Sequence, residues 1–246
     1  MSNQVVLNLV KNSMILKDKV VVITGASHGL GKSMAQILSA RGAKVVICSR
    51  RRDKLEEIAK ETGIHYVVAD VAKEADILRI AEETISRFGM IDIWINNAGV
   101  WLPKSPIEGV DIVKAHDMFE INVFGTVYGS RVALNQMKRQ KSGMIVNIIS
   151  TSALNGRPNA VMYSASKYAV RGFTEALREE VVGSNVKVVS VYPGGIKTLM
   201  YDEEKPAEYD SFMLPDYVAE KVIDNIEKSE PENELIIRRP VQAVKS

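Results

Sequence analysis

Short runs of β-branched and other apolar residues alternate along this chain with longer segments of helical rhythm. KVVVIT (19–24), KVVIC (44–48), HYVVA (65–69), IDIWIN (91–96), MIVNII (144–149) and VKVVSVY (186–192) each read as a strand that is apolar on both faces. Such strands belong in a parallel sheet covered on both sides by helices. Between the third and fourth runs, Ile77, Ile80, Ala81, Thr84, Ile85 and Phe88 fall at helical spacing, and Gly89 is placed to end the helix. Repeated βα units with right-handed crossovers predict an α/β fold, a single doubly wound parallel sheet of Rossmann-like type. In such a sheet the ligand crevice lies beyond the carboxyl ends of the strands.

Composition narrows the field. A chain of 246 residues that is 46% hydrophobic can bury one large core. We read residues 16–246 as one domain and residues 1–15 as an N-terminal extension: an added strand, an oligomer arm or a tail. The extension lacks the basic start and unbroken apolar core of a signal peptide, and a cytoplasmic protein is expected. With 32 basic against 30 acidic side chains, the net charge of +2 offers no field for nucleic acid or an anionic membrane. Small-molecule chemistry is therefore expected. The single cysteine, Cys48, excludes an intramolecular disulfide and sits in a run that predicts a buried strand. His28, His65 and His116 are scattered without ligand spacing, so neither a metal site nor a Ser-His-Asp triad is expected.

Two motifs carry chemistry. TGASHGLG (24–31) follows the first strand and leads into a helical stretch, and Gly25, Gly29 and Gly31 would let backbone amides and a helix N-terminus approach a pyrophosphate. In YSASK, Tyr163 and Lys167 stand one helical turn apart, on one face. A nearby ammonium would lower the phenol's pKa toward the range useful for proton transfer.

The glycine spacing is TGxxxGxG. With NNAG (96–99), Asn122, Ser150, YSASK and PGGIKT (193–198) in this order, the chain resembles the short-chain dehydrogenase/reductase family from Leu16 to about Thr198. The resemblance implies about seven strands in the order 3-2-1-4-5-6-7. It implies Tyr163 as the proton donor to a carbonyl oxygen, Lys167 as its partner and a holder of the nicotinamide ribose, and Ser150, ending the fifth strand, as a hydrogen-bond donor to the substrate oxygen. Asn122 resembles the residue that holds a proton-relay water, the alternative being an asparagine at a helix kink. Cofactor contacts are implied at Gly25, Ser27, His28, Gly29, Leu30, Gly31, Asn97, Ala98 and Gly99, and at Val71, Pro193, Gly194, Ile196 and Thr198. Asp70 resembles an adenine-binding aspartate, with a helix N-cap as the rival.

At the end of the second strand, where an aspartate would favour NAD(H), stands Ser49, followed by Arg50, Arg51 and Arg52. A guanidinium suits a 2'-phosphate. We expect NADP(H) in preference to NAD(H), with Arg50 as the phosphate contact, His28 as helper, and at least one of the three arginines merely solvating a helix start. Pocket walls are expected from Val100, Trp101 and Leu102, from residues 152–155 and from Leu199, Met200 and Tyr201, with Ser150, Ser152, Tyr163, Trp101 and Met200 touching substrate. These are mainly apolar, and no arginine is seen to face the pocket. Thr151, Ser164 and Ser166 read as structural or pocket-lining, residues 202–215 as a loop over the site, and the stretch after Pro215 as helix then strand. The expected reaction is reduction of a ketone or aldehyde, reversible as oxidation of a secondary alcohol. The alternatives are a 3-oxoacyl thioester reductase, an epimerase or dehydratase acting through a keto intermediate, and a non-catalytic dinucleotide sensor. The helices carrying Asn122 and Tyr163 are apolar on more than one face, as at Phe119, Val123, Val127 and Val132, and a homodimer or homotetramer is expected.

Overall fold

The computed structural model describes residues 16–239, so the N-terminal extension and the last seven residues lie outside the described part. Seven strands form one parallel sheet: β1 (Val20–Thr24), β2 (Lys44–Ser49), β3 (His65–Val68), β4 (Ile93–Asn96), β5 (Gly143–Ile148), β6 (Val186–Pro193) and β7 (Glu234–Ile237). Their order is β3-β2-β1-β4-β5-β6-β7, as the motifs implied. The helices are α1 (Gly29–Ala40), α2 (Arg52–Thr62), α3 (Glu74–Phe88), α4 (Ile112–Phe119), α5 (Gly125–Gln140), α6 (Val161–Glu180) and α7 (Pro215–Ile226).

Strand side chains alternate between two cores. Val21, Ile23, Val45, Ile47, Ile93 and Ile95 face α1, α2 and α7, packing on Met34, Leu38, Leu55 and Val222. Val22, Val46, Cys48 and Trp94 face the other way, onto Ile77 and Ile80 of α3 and Met137 of α5. Cys48 is fully buried, and burial pushes its thiol pKa up to about 12. Gly89 takes the left-handed conformation that ends α3 (φ 82°), as its position predicted.

Between sheet and helices on the second face lies a polar seam. Trp94 Nε1 donates to Asn96 Oδ1 (2.8 Å), while Asn96 Nδ2 donates to Ser130 Oγ (3.0 Å) and Asn147 Oδ1 (2.8 Å). Asn147 Nδ2 then reaches Thr174 Oγ1 (2.9 Å) on α6. Gly129 makes room for it: a Cβ there would stand 2.1 Å from Asn96 Oδ1.

Asp111 caps α4 by accepting from the amides of Val113 and Lys114. The helix does not end at Phe119 but widens into a π-helical turn, Glu120–Phe124, before continuing as α5. The expected loop from residue 202 to 215 contains a short 3-10 turn, Tyr209–Ser211, and is closed at its base where Met213 bridges back to Ile196. Among the described residues no helix is long and apolar enough to cross a membrane.

Candidate active site

A cavity of about 900 Å³ opens beyond the carboxyl ends of the strands, where the sheet topology directs it. It runs from the glycine turn and the end of β2 to Tyr163. Every residue assigned to cofactor or substrate from the sequence borders it, and Asn122 alone lies behind the wall.

At one end, Gly25 (φ 67°) turns the chain from β1 into α1, and a Cβ on it would stand 2.6 Å from Ala98 Cα. No side chain caps α1, whose N-cap is His28, so its first amides are left for an anion. Asn97 pins this turn, its Nδ2 donating to the carbonyls of Thr24 (2.9 Å) and Gly25 (3.1 Å). Thr24 Oγ1 accepts in return from the amides of Asn97 and Ala98. Thr24 is a supporting residue that the motif contains but that sequence reasoning did not single out.

Ser49 Oγ accepts from the Arg51 amide (3.0 Å), which starts α2. Arg50 and Arg51 both border the cavity, whereas Arg52 turns away and pairs with Glu56 at 3.7 Å. Arg52 is thus the arginine that merely solvates the helix start. His28 shares a 3.0 Å hydrogen bond with Ser27. Its pKa is lowered, first by burial and then by the charge of Arg51, so Arg51 stands in the field of this corner with the expected Arg50. Asp70 does not cap α3, whose N-cap is Lys73. Its carboxylate accepts from the Ala72 amide (3.1 Å), while its own amide donates to Asp76 (2.8 Å), so the rival N-cap role is corrected to a tight side-chain turn.

At the other end, α6 presents Tyr163 and the buried Lys167, with Lys167 Nζ 5.7 Å from the phenol ring centre. Burial raises the pKa of Tyr163, and hydrogen bonding to Ser150 opposes that rise. The expected lowering by Lys167 is not found: burial dominates, and Ser150 is the group that opposes it. Burial likewise brings Lys167 down to about 8. Ser150 lies two residues past the end of β5, a small correction to its expected place, and opens a 3-10 turn, Thr151–Ala153. Its Oγ accepts from the Ser152 amide (3.1 Å), which leaves its proton to donate toward Tyr163 at the cavity wall.

Asn122 sits in the π turn, fully engaged. Its Oδ1 accepts from Val100 N (2.8 Å), and its Nδ2 donates to Val100 O (3.0 Å) and Ser166 Oγ (3.2 Å). It clamps the segment after NNAG against α6, a structural role different from the helix-kink cap weighed beside the relay. Ser166 and Ser164 are likewise structural, Ser164 Oγ accepting from the Arg157 amide.

The substrate end differs from expectation in two respects. Of residues 152–155, Ser152 borders the cavity, but Ala153 is buried, Leu154 packs on a small core with Val170 and Tyr192, and Asn155 points to solvent. The 3-10 turn explains this, since its tight winding swings those side chains away from the cavity. Nor is the wall mainly apolar: Lys104, Arg157, Asp202, Glu208 and Arg239 join Trp101, Met200 and Tyr201. Arg157 arrives from the turn between Ser150 and YSASK, and Arg239 from the chain beyond β7. Among the described residues no group of three or more His, Cys, Asp or Glu side chains could hold a metal ion.

An uncapped helix N-terminus at one end of a crevice and a Ser-Tyr-Lys cluster at the other, on a doubly wound sheet, define an oxidoreductase that uses a nicotinamide dinucleotide. Residues 19–209 match the family model described as short chain dehydrogenase, and the chain belongs to that family. It is 37% identical over 246 residues to an uncharacterised oxidoreductase of Staphylococcus saprophyticus, covering 93% of this chain and 99% of that protein. The closed form of a serine dehydrogenase complexed with NADP+ superposes with a TM-score of 0.85 at 27% identity, over 92% of this chain and 97% of that one. A 3-ketoacyl-(acyl-carrier-protein) reductase of Brucella melitensis complexed with NADH gives 0.83 at 31% identity, over 90% and 97%.

Proposed function

We propose that the protein is an NADPH-dependent carbonyl reductase, reversible as a secondary-alcohol dehydrogenase, with Tyr163 as general acid and base. The observation that carries the proposal is the meeting of Ser150, Tyr163 and Lys167 at one end of a cavity whose other end holds the open amides of α1 beside Arg50 and Arg51. The donor set fits a nicotinamide dinucleotide: α1 amides for the pyrophosphate, arginines for a 2'-phosphate, Lys167 for ribose hydroxyls. When bound, that cofactor supplies or accepts the hydride.

The remaining chemistry belongs to the chain. Ser150 donates a hydrogen bond to the carbonyl oxygen and stabilises the negative charge that grows there. Tyr163 delivers its proton to the same oxygen. Its raised pKa keeps the phenol protonated near neutral pH, as a donor must be. Lys167, mostly cationic below about 8, steadies the phenolate left behind. The water-relay role of Asn122 remains part of this reading, its amide being held fixed by Val100 and Ser166. The 3-oxoacyl thioester reductase is the second reading, favoured by the likeness to the Brucella enzyme.

The same reading places the protein in the cytoplasm as one domain. It also assembles the protein as a homodimer or homotetramer through the exposed apolar residues Ile112, Val113, Phe124, Val161 and Tyr168 on α4, the π turn and α6. The deciding experiment is fluorescence titration with NADPH and NADH on wild type and Tyr163→Phe, followed by turnover assays over ketones and 3-oxoacyl thioesters. Tighter NADPH binding by both proteins, with turnover by wild type alone, is expected. Substantial turnover by the variant would reject Tyr163 as proton donor.

A further inference from the structure

Tyr201 is the feature of the substrate end that the reaction itself does not use. It closes a 3-10 turn, Leu199–Tyr201, whose start is fixed by Thr198 Oγ1 accepting from the Met200 amide (3.3 Å). The far side of the loop is tied back by Met213, whose amide donates to Gly195 O (3.0 Å) and whose carbonyl accepts from Lys197 N (2.9 Å). Within this frame the Tyr201 ring is held edge-on by three aromatic neighbours: Trp101 at 5.1 Å, Phe212 at 5.4 Å and Tyr209 at 6.0 Å between centroids. Edge-to-face packing from several directions fixes the ring plane. The hydroxyl therefore has one direction in which to point.

Tyr201 borders the same cavity as Tyr163, and among the described residues its ring meets aromatic neighbours while its hydroxyl makes no hydrogen bond. Burial, and after it the charge of an ionised Tyr163, raise its pKa, so the group is a proton-bearing donor throughout the working pH range. A fixed donor facing a cavity discriminates strongly, because a ligand without an acceptor leaves it unpaired.

We propose that Tyr201 is a specificity residue whose hydroxyl donates to a second oxygen of the substrate, so that diketones and oxo esters are preferred to simple ketones. Trp101, Met200 and Phe212 receive the apolar remainder of such a molecule. This inference rests on the reductase reading and names its substrate class.

The test uses Tyr201→Phe, which keeps the ring and its packing and removes only the hydroxyl. Steady-state reduction of ethyl acetoacetate is compared with that of a straight-chain 2-alkanone of matched length. The wild type is expected to favour the oxo ester, and the variant to lose about tenfold in kcat/KM on it with little change on the alkanone. Equal losses on both compounds, or none, would overturn the role of Tyr201 while leaving the reductase reading intact. A wild type that binds NADPH yet reduces neither compound would overturn that reading, and this inference with it.

Discussion

Replacing Gly129 by alanine tests the polar seam that joins the sheet to α5 and α6. The added methyl carbon would stand 2.1 Å from Asn96 Oδ1 and 2.6 Å from Trp94 Nε1, crowding from one side the 2.8 Å hydrogen bond these two atoms share. Both residues are buried, so neither group can turn to water. Parting the pair leaves a buried donor and acceptor unmet, costing about 1–3 kcal/mol. Forcing a methyl into a filled space adds about 1–3 kcal/mol, and the better helix propensity of alanine returns about 1 kcal/mol. A net loss of about 1–5 kcal/mol follows, which for a chain of this size lowers Tm by about 2–20 °C. The natural control is Gly172→Ala in α6, where the new Cβ meets nothing within 4 Å. There the same substitution should stabilise by about 0.5–1 kcal/mol. Thermal and urea unfolding of the two variants beside wild type make the measurement. If Gly129→Ala unfolds at the wild-type temperature, the seam yields freely to the added methyl and the tight fit assigned to Gly129 is wrong.

Lys167→Met should abolish turnover yet raise stability by about 2 kcal/mol near neutral pH, since burying the ammonium opposes folding. The folded-state pKa of about 8 lies below the unfolded value, so between about 8 and 10.5 the unfolded chain holds the proton that the folded chain has lost. Wild-type stability therefore rises with pH in that window, and the advantage of the methionine variant shrinks; urea melts from pH 7 to 10.5 would expose a constant difference as a contradiction. Replacing Ser49 by Asp with Arg50 by Ala should move the NADPH/NADH ratio of kcat/KM toward NADH by at least tenfold. Since Arg51 also borders this corner, the triple change with Arg51→Ala should move it further, and an unchanged ratio in both would show that the phosphate is read elsewhere.

The fold was legible because its signals are local. Strands such as VVVIT and KVVICS are buried on both faces, and each is followed by a helix with one apolar stripe, which leaves few topologies open. The residues proposed for cofactor and catalysis could be read because they fall in short motifs at strand ends and in the first turns of α6. What escaped depends on contacts between distant segments. Nothing near Asn96 announces that its amide will meet Ser130 and Asn147, and Gly129 reads as an ordinary helix glycine until Asn96 stands opposite it. The π turn is set by the clamp of Asn122 on Val100, a pairing across 22 residues. Residues 153–155 were misread as wall because a loop and a 3-10 turn share a composition but not a side-chain direction. Arg157 and Arg239 reach the cavity from a turn and from the chain beyond β7, where no pattern marks them.

The lone cysteine gives the molecule a built-in clock. Cys48 lies in the interior strand β2 between β1 and β3, is sealed beneath α3 and is held protonated by its surroundings. An alkylating reagent can reach that sulfur only when its cover opens, so the rate of labelling in native buffer reports how often α3 and the glycine turn part from the sheet. Any bound molecule that bridges the two ends of the crevice will slow that clock, and the slowing measures its grip without a spectroscopic signal or a turnover.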